Sequence, residues 1–533
     1  MFYKVCILAA GLGSRMSSIT HGMNKGLLPI GQKAVISHII EKFSPDVEIV
    51  IAVGYRAQSL KDYLLCVNED RNITFVDVDN FDRLGAGPGY SLLHCRDHLN
   101  CPFIFYAVDT LVEDLIPLPD RNWLGISPVM NSEQYCTVEV QNDLVVSLLD
   151  KTYTLNNQAF IGLAGVKDYE AFFSGLLASR QQSNTELQVS GGFAALIALS
   201  LYSLPFKWYD VGNIDGYTEA AQAHSESVTA FDFSKPDEHL YFVNGKVIKY
   251  FENPATTENR YFRSKQLAGL VPMITNKCGS FYGYFKVDGR VLYETVNPEK
   301  VLKLLRWLEA NLWQRRTLAM KDRDLFVLSC LDFYYKKTVN RIYRYQEKFG
   351  VFDGATIING VAVESLDSLM AKLDWDDLCD GEASNFHGDL QFDNILETVT
   401  GDFVLLDWRQ DFSGNLEFGD LYYDLAKLNG GMLVSYAMIK RGEFDYYCRD
   451  GVKNNIVISH DPGAGLADCR LVFQKHISDS GFDINRIDIL TSLIFLNMAV
   501  MHHAPFAHFI YNLGKISLKN ALASRDTSSF TLI

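Results

Sequence analysis

The stretch Ile7–Ile30, ILAAGLGSRMSSITHGMNKGLLPI, constrains the fold more than any other part of the chain. A short apolar strand runs straight into a turn with two glycines, followed by an arginine and, ten residues later, a lysine. Gly11 and Gly13 let a backbone approach an anion without Cβ hindrance and offer it successive N–H groups, while Arg15 and Lys25 add cationic donors. The following residues keep a strand–helix rhythm. Apolar runs Val47–Val53, Ile73–Val78 and Pro102–Val108 alternate with amphipathic stretches Lys33–Phe43, Ala57–Leu65 and Gly89–His98. That alternation predicts an α/β fold, a doubly wound and mainly parallel sheet with the Gly11–Arg15 loop beyond the carboxyl ends of its strands.

The string Leu8-Ala9-Ala10-Gly11-Leu12-Gly13-Ser14-Arg15-Met16, with Lys25 and Leu28-Pro29-Ile30, resembles the signature of the NTP-dependent nucleotidyltransferases that activate sugar phosphates and phosphocholine. Asn24 stands where proline usually precedes the lysine, and Gly26 follows it. The resemblance implies a Rossmann-like domain in which Leu8, Ala10, Gly11, Gly13 and Gly87 bind the nucleotide and Arg15 and Lys25 act in catalysis. It also implies two aspartates that hold Mg²⁺ against the triphosphate: Asp109, which ends the strand Phe103–Val108, and Asp210, in the D-x-G of Trp208–Asn213. Attack of a phosphate oxygen on the α-phosphorus brings anions together, so an oxygen-ligated cation has to neutralise them. Taken alone, each aspartate also reads as a strand-end or turn residue. Lys151, after the apolar Leu144–Leu149, resembles the lysine that steadies the incoming phosphate, and a solvated surface lysine is the alternative. Ala86-Gly87-Pro88-Gly89 opens a helix and resembles the segment that lies against the base or sugar, with a simple helix-start turn as the alternative, and Phe160–Gly165 is expected to floor the acceptor site.

At 533 residues the chain is long enough for two to four domains. A net charge of −15 with no long Lys/Arg run argues against a nucleic-acid or anionic-membrane surface, so any phosphate site must be local. The ten cysteines are scattered without a CxxC pair, as expected of free thiols in a reducing, cytoplasmic setting. Val5–Leu12 is too short for a membrane span and reads as a buried strand. Leu490–Ile510, broken by Asn497, His502, His503 and Pro505, reads as a pair of core helices, so no membrane insertion is expected.

The polar segment Ser225–Glu238 reads as a boundary, dividing the chain into a domain of residues 1–225, a linker 226–238 and a second domain 239–533. Leu240–Phe251 alternates around Asn244-Gly245, a hairpin signal that projects Lys249 from its second strand. Glu258 opens a helical stretch, Thr257–Leu267; a strand lysine paired with a helix glutamate is how kinases hold ATP phosphates, although a surface pair is the default reading. Phe386-His387-Gly388-Asp389-Leu390-Gln391-Phe392-Asp393-Asn394-Ile395-Leu396, followed by Phe403–Leu406 and Asp407, carries the stronger signal. It resembles the catalytic and metal loops of the aminoglycoside phosphotransferase and choline kinase group. The resemblance implies a bilobal, protein-kinase-like α+β domain with an N-lobe at about 239–297 and a C-lobe at about 298–533. In it Asp389 orients a substrate hydroxyl, Asn394 and Asp407 hold Mg²⁺, and Lys249 and Glu258 serve the nucleotide. Trp408-Arg409 after Asp407 and the lack of a Gly-rich loop before Lys249 favour a small-molecule substrate. Asp420 and Asp424 are expected to cap a helix and brace the loop. Trp408, Tyr422, Tyr423, Tyr446 and Tyr447 read either as core or as a cation–π box for an amine.

Together the halves imply a bifunctional enzyme: an ATP-dependent kinase acting on a sugar or amino alcohol, and a domain that joins a nucleoside monophosphate from an NTP to the new phosphate for surface glycan or lipid synthesis. The other reading is that one domain is a silent sensor or scaffold.

Overall fold

The computed structural model describes residues 1–16, 22–83, 85–182, 186–224, 237–452 and 454–529. Residues 226–236 of the predicted linker lie outside the described residues. Two compact units emerge, one built from residues up to 224 with 237–254 and 276–283, the other from 255–275 and 284–529.

The first unit is organised on a nine-stranded sheet. From edge to edge its strands are Ile73–Asp77, Glu48–Val53, Lys4–Ala9, Phe103–Ala107, Gln158–Val166, Trp123–Pro128, Tyr202–Pro205, Leu144–Asp150 and Cys136–Gln141. Lys4–Ala9 is central and runs parallel to both neighbours, with Cys6 opposite Val50 on one side and Phe105 on the other. Its continuous apolar run follows from burial of both faces. Val5, Ile7 and Ala9 enter one core with Ile49, Ile51 and Tyr63, while Cys6, Leu8 and Ala10 enter the other with Leu92, Phe105 and Phe172. Helices Ala57–Val67 and Pro88–His94 cover the sheet where the sequence predicts helices.

The mainly parallel expectation holds for the first four strands and gives way beyond them. Gln158–Val166 is inserted antiparallel between Phe103–Ala107 and Trp123–Pro128. Cys136–Gln141 and Leu144–Asp150 form a hairpin whose turn residues, Asn142 and Asp143, both have left-handed backbones. The physical reason is connection length. Residues 113–157 carry short turns and no crossover α-helix, so successive strands there cannot all point the same way.

The Asn244-Gly245 hairpin forms as predicted, between Glu238–Val243 and Lys246–Phe251, with φ of 53° and 71° at the two turn residues. Its packing differs from the sequence assignment, which put it in the second domain. Tyr241, Val243, Ile248 and Tyr250 join the first unit's core. The Tyr241 hydroxyl donates to Leu27 O at 2.7 Å, and the rings of Tyr241 and Phe281 meet Tyr63 at 5.1 and 5.6 Å.

The second unit is mostly helical. The predicted helix pair near the C-terminus is Ile484–Ala499 and Phe506–Ser529, and the first of these is buried on nearly every face. A small sheet pairs Ile395–Thr398 antiparallel with Phe403–Leu405. This pairing brings the residue before the first strand, Asn394, next to the residues after the second, and Leu406 N donates to Asn394 O at 2.7 Å. Among the described residues no helix is long and apolar enough to cross a membrane.

Candidate active sites

In the first unit Asp109 and Asp210 are brought together by a short antiparallel pair, Thr110–Val112 with Trp208–Asp210, in which Asp210 lies opposite Thr110. Val211 N then donates to Asp109 O at 3.0 Å. Between the two carboxylates sits Gly212. A Cβ there would lie 2.7 Å from Asp109 Oδ2 and 2.9 Å from Asp210 Oδ1, so the D-x-G glycine is the space into which both carboxylates point. By the same distances those two oxygens are at most about 5.6 Å apart, the sum of the two sides of a triangle.

The cations of the opening loop converge on the same point. Lys25 Nζ lies 3.1 Å from Asp109 Oδ2, and the Arg15 guanidinium spans the two acids, 3.9 Å from Asp109 Oδ2 and 3.9 Å from Asp210 Oδ2. Burial acts to raise the Asp109 pKa, but the charges of Lys25 and Arg15 outweigh it and hold the carboxyl below its ordinary value. Asp210 Oδ2 also accepts from the Tyr135 hydroxyl at 2.8 Å and Asn213 Nδ2 at 2.7 Å, and its Oδ1 from Gly212 N at 2.9 Å. Burial, then the Asp210 charge, raises the Tyr135 phenol, which keeps it a donor.

Asn24, the departure from the nucleotidyltransferase signature, has a structural task. Its buried amide donates to Ala9 O at 2.9 Å and Tyr55 O at 2.8 Å, and its Oδ1 accepts from Gly26 N at 2.9 Å. The side chain thereby ties the turn that carries Lys25 to the end of the central strand. Leu8 and Ala10 are buried at that strand's end, whereas Gly11 is exposed and Gly13 takes a left-handed φ of 72°. Gly87 starts the helix Pro88–His94, and a Cβ there would meet Leu187 O at 2.6 Å. Lys151 pairs with Glu186 at 3.3 Å and not with either aspartate. Its side chain is 57% exposed.

Hard oxygen donors from Asp109 and Asp210 in this arrangement suit a divalent cation such as Mg²⁺. Among the described residues there is no group of three or more His, Cys, Asp or Glu side chains set to hold a metal, so an ion here would need oxygens from the nucleotide and water to complete its shell.

Residues 5–116 match the MobA-like NTP transferase domain. The N-terminal part of this chain is thus similar to an NTP transferase domain over those residues. Among curated relatives, the Bifunctional protein GlmU of Methanococcus maripaludis is 27% identical over 215 residues, 39% of this chain and 51% of that protein. Its counterpart in Methanococcus vannielii is 29% identical over 224 residues, with 39% and 51% covered. The chain thus spans about half the length of the curated relatives it matches. A solved CTP:phosphocholine cytidylyltransferase from Streptococcus pneumoniae aligns at 21% identity and a TM-score of 0.36, covering 42% of this chain and 99% of that one. A UDP-glucose pyrophosphorylase complexed with UDP-glucose aligns at 21% identity and a TM-score of 0.35, covering 42% and 98%.

The match over residues 5–116 ends well before a second cluster of candidate residues, which gathers around Asp389. Its carboxylate meets Lys427 Nζ at 2.6 Å and Asn394 Nδ2 at 3.3 Å, and Asn394 Nδ2 also donates to Asp389 O at 2.9 Å. Burial acts to raise the Asp389 pKa, yet the Lys427 charge prevails and the carboxyl stays below its ordinary value. The loop is braced from behind by Asp424. One oxygen accepts from His387 N and the other from Gly388 N, both at 2.7 Å. Asp420 caps the helix Leu421–Leu433 through Tyr422 N and also accepts from Glu382 N. Gly388 has φ of 85°, the left-handed region that favours glycine, just before the aspartate. Asp407 also adopts a left-handed backbone, φ 57°, a conformation that costs a non-glycine residue and tends to occur at functional sites. Its carboxylate pairs with Arg260, on the helix Pro254–Gln266 that also carries Glu258. Lys249 lies on the strand Lys246–Phe251.

The aromatic candidates are largely core: Trp408, Tyr422 and Tyr423 are buried, with Trp408 Nε1 donating to Arg260 O at 2.8 Å. Tyr447 is exposed, and Tyr446 packs on His508 at 5.2 Å. Three functional contacts were absent from the sequence reading: Tyr135, Arg260 and Lys427. Only Lys427 carried a local signal, its spacing of three residues from Asp424 on one helix face.

Proposed function

We propose that the chain is a bifunctional transferase. Its second unit, residues 255–275 and 284–529, carries an ATP-dependent small-molecule kinase site, and its first attaches a nucleoside monophosphate to the phosphate so formed, releasing pyrophosphate. The observation that carries the first step of this reading is the convergence of Arg15 and Lys25 on the paired carboxylates of Asp109 and Asp210, two cations and two acids at one point. In the nucleotidyl transfer, Arg15 and Lys25 draw in the triphosphate and stabilise charge on the departing pyrophosphate. Asp109 and Asp210 would hold Mg²⁺, which supplies charge neutralisation between the two phosphates. Tyr135 and Asn213 fix the Asp210 carboxylate, and the loop from Leu8 to Gly13 with Gly87 offers backbone to the nucleotide.

For the kinase step, the support is the Asp389–Asn394 contact beside the strand end that bears Asp407. Asp389 accepts a hydrogen bond from the acceptor hydroxyl and orients it, with its charge held on by Lys427. Asn394 and Asp407 are the proposed ligands of Mg²⁺, whose chemistry there is to neutralise the ATP phosphates. Lys249 and Glu258 are assigned to the nucleotide and Lys151 to the incoming phosphate as parts of the same proposal. The acceptor is a small hydroxyl compound, and a cytoplasmic, Mg²⁺-dependent role in making an activated precursor for a surface glycan or lipid is part of the same proposal.

The test is to incubate the full chain with Mg²⁺, each NTP and a panel of sugars, amino alcohols and their phosphates, following ADP and pyrophosphate. ADP with a free acceptor and pyrophosphate with its phosphate support the reading. Pyrophosphate alone, with ADP from no acceptor, would leave the second domain a sensor or scaffold.

A further inference from the structure

The charges beside Asp389 speak to what kind of acceptor the second unit takes, on the kinase reading above. Lys427 is neutralised by Asp389, but three more cations stand close by. Lys337 Nζ lies 3.8 Å from the centroid of the Phe333 ring, and the Arg409 guanidinium lies 4.8 Å from the same centroid. The Arg409 stem rests on the catalytic loop itself. A Cβ on Gly388 would lie 2.6 Å from Arg409 Cβ, and Arg409 N donates to His387 O at 2.9 Å. Arg341, one helical turn beyond Lys337, donates to Asn497 O at 3.2 Å.

All three are half-buried, and among the described residues none has a carboxylate within ion-pair distance. Burial, and then the charges of Arg409, Arg341 and Lys427, pull the Lys337 amine well below its ordinary value, with Asp389 the opposing charge. Cations crowded into a part-desolvated site repel one another unless an anion joins them. The aromatic side chains nearby offer no compensating cage for a cationic ligand, because Phe333 stacks on Phe412 at 4.5 Å and meets Tyr423 edge-on at 4.8 Å within the core.

We propose that the hydroxyl compound phosphorylated by the second unit carries an anionic group, a carboxylate or a phosphate, held by Lys337, Arg341 and Arg409 beside Asp389. A choline-like or ethanolamine-like cation is thereby disfavoured. The step is balanced in the ordinary way: the acceptor oxygen bonds to the γ-phosphorus, the bond to the β-phosphate oxygen breaks, ADP leaves, and the hydroxyl proton is released to solvent.

Two measurements test this on the full chain saturated with Mg²⁺ and a non-hydrolysable ATP analogue. Calorimetry with inorganic phosphate, with glycolate and with choline should show phosphate or glycolate binding, and which of the two binds identifies the anion. The Lys337→Gln/Arg409→Gln double variant should weaken it at least tenfold, and Lys337→Arg should retain it. Choline binding instead, no anion binding, anion binding that the double variant does not weaken, or anion binding seen only in a parallel titration without the analogue, would overturn the proposal; the last outcome would assign the cations to ATP. ADP release is then measured across anionic, neutral and cationic hydroxyl compounds. If the anion binds as expected but no acceptor gives ADP, the kinase reading fails while the anion site stands.

Discussion

Replacing Gly212 with alanine should disable the first site while leaving the fold intact. The added methyl would sit 2.7 Å from Asp109 Oδ2, 2.9 Å from Asp210 Oδ1 and 3.2 Å from Asp109 Cβ. Ordinary non-bonded separations are about 3.5 Å, so each oxygen must retreat by roughly 0.6–0.8 Å. Neither is free to do so. Asp109 is held by Lys25 at 3.1 Å, and Asp210 is held by Tyr135, Asn213 and Gly212 N. A shift approaching 1 Å in a positioning group costs on the order of 10²-fold in rate, or about 2.7 kcal/mol of transition-state stabilisation. The position does not require a left-handed backbone, so the substitution adds no backbone strain and its cost to stability is confined to the carboxylate contacts it displaces. The assay is pyrophosphate release as a function of Mg²⁺ concentration, with a thermal melt alongside. An unchanged kcat/KM in a well-folded Gly212→Ala chain would refute the idea that both carboxylates act at this point.

Three further outcomes follow from particular contacts. Tyr135→Phe removes the hydroxyl donated to Asp210 Oδ2; hydrogen bonds to charged groups contribute about 1.5–3 kcal/mol, so pyrophosphate release should fall about tenfold or more and an unchanged rate would contradict the contact. Gly245→Ala forces alanine into a φ of 71° at the hairpin turn and should destabilise by about 1 kcal/mol, read as a lower denaturation midpoint with no change in either activity. Asp424→Asn should alter the pH dependence of stability. Burial pushes the Asp424 carboxyl up to about 6, so its contribution is present at low pH and lost as pH rises through 6. Burial pulls the His387 imidazole down to about 4, so its contribution is present above 6.5 and lost as pH falls towards 4. The two slopes oppose each other between pH 4 and 6, each by at most about 3 kcal/mol. Without the Asp424 carboxyl, stability should therefore fall more steeply on acidification than in the wild type; parallel curves would contradict the assignment.

The residues that the sequence disclosed are those whose chemistry is written locally. The strand that ends in Gly11-Leu12-Gly13, the Asn244-Gly245 turn and the Asp389–Asn394 spacing all depend on neighbours within about ten residues, and each appears in the structure where the pattern puts it. The order of strands was not legible. Nothing in Gln158–Val166 specifies that it enters the sheet antiparallel beside Phe103–Ala107, because pairing across more than fifty residues is decided by packing and not by local propensity. The hairpin at 238–251 makes the same point, since its alternation announced a buried face but not that the face would meet Leu27 and Tyr63. Tyr135, Arg260 and Lys427 reach the sites from elements far along the chain, and only the fold brings them there. Trp408, Tyr422 and Tyr423 could be read as a ligand box or as core from sequence, and burial assigns them to the core.

The most direct test of two chemistries on one polypeptide uses two substitutions and two products. With ATP, a second NTP, Mg²⁺ and an acceptor hydroxyl compound, Asp389→Ala should abolish ADP formation while pyrophosphate still appears when the acceptor phosphate is supplied. Asp109→Ala should abolish pyrophosphate while ADP formation continues. Loss of both products in either variant, or loss of the product assigned to the other site, would contradict the account.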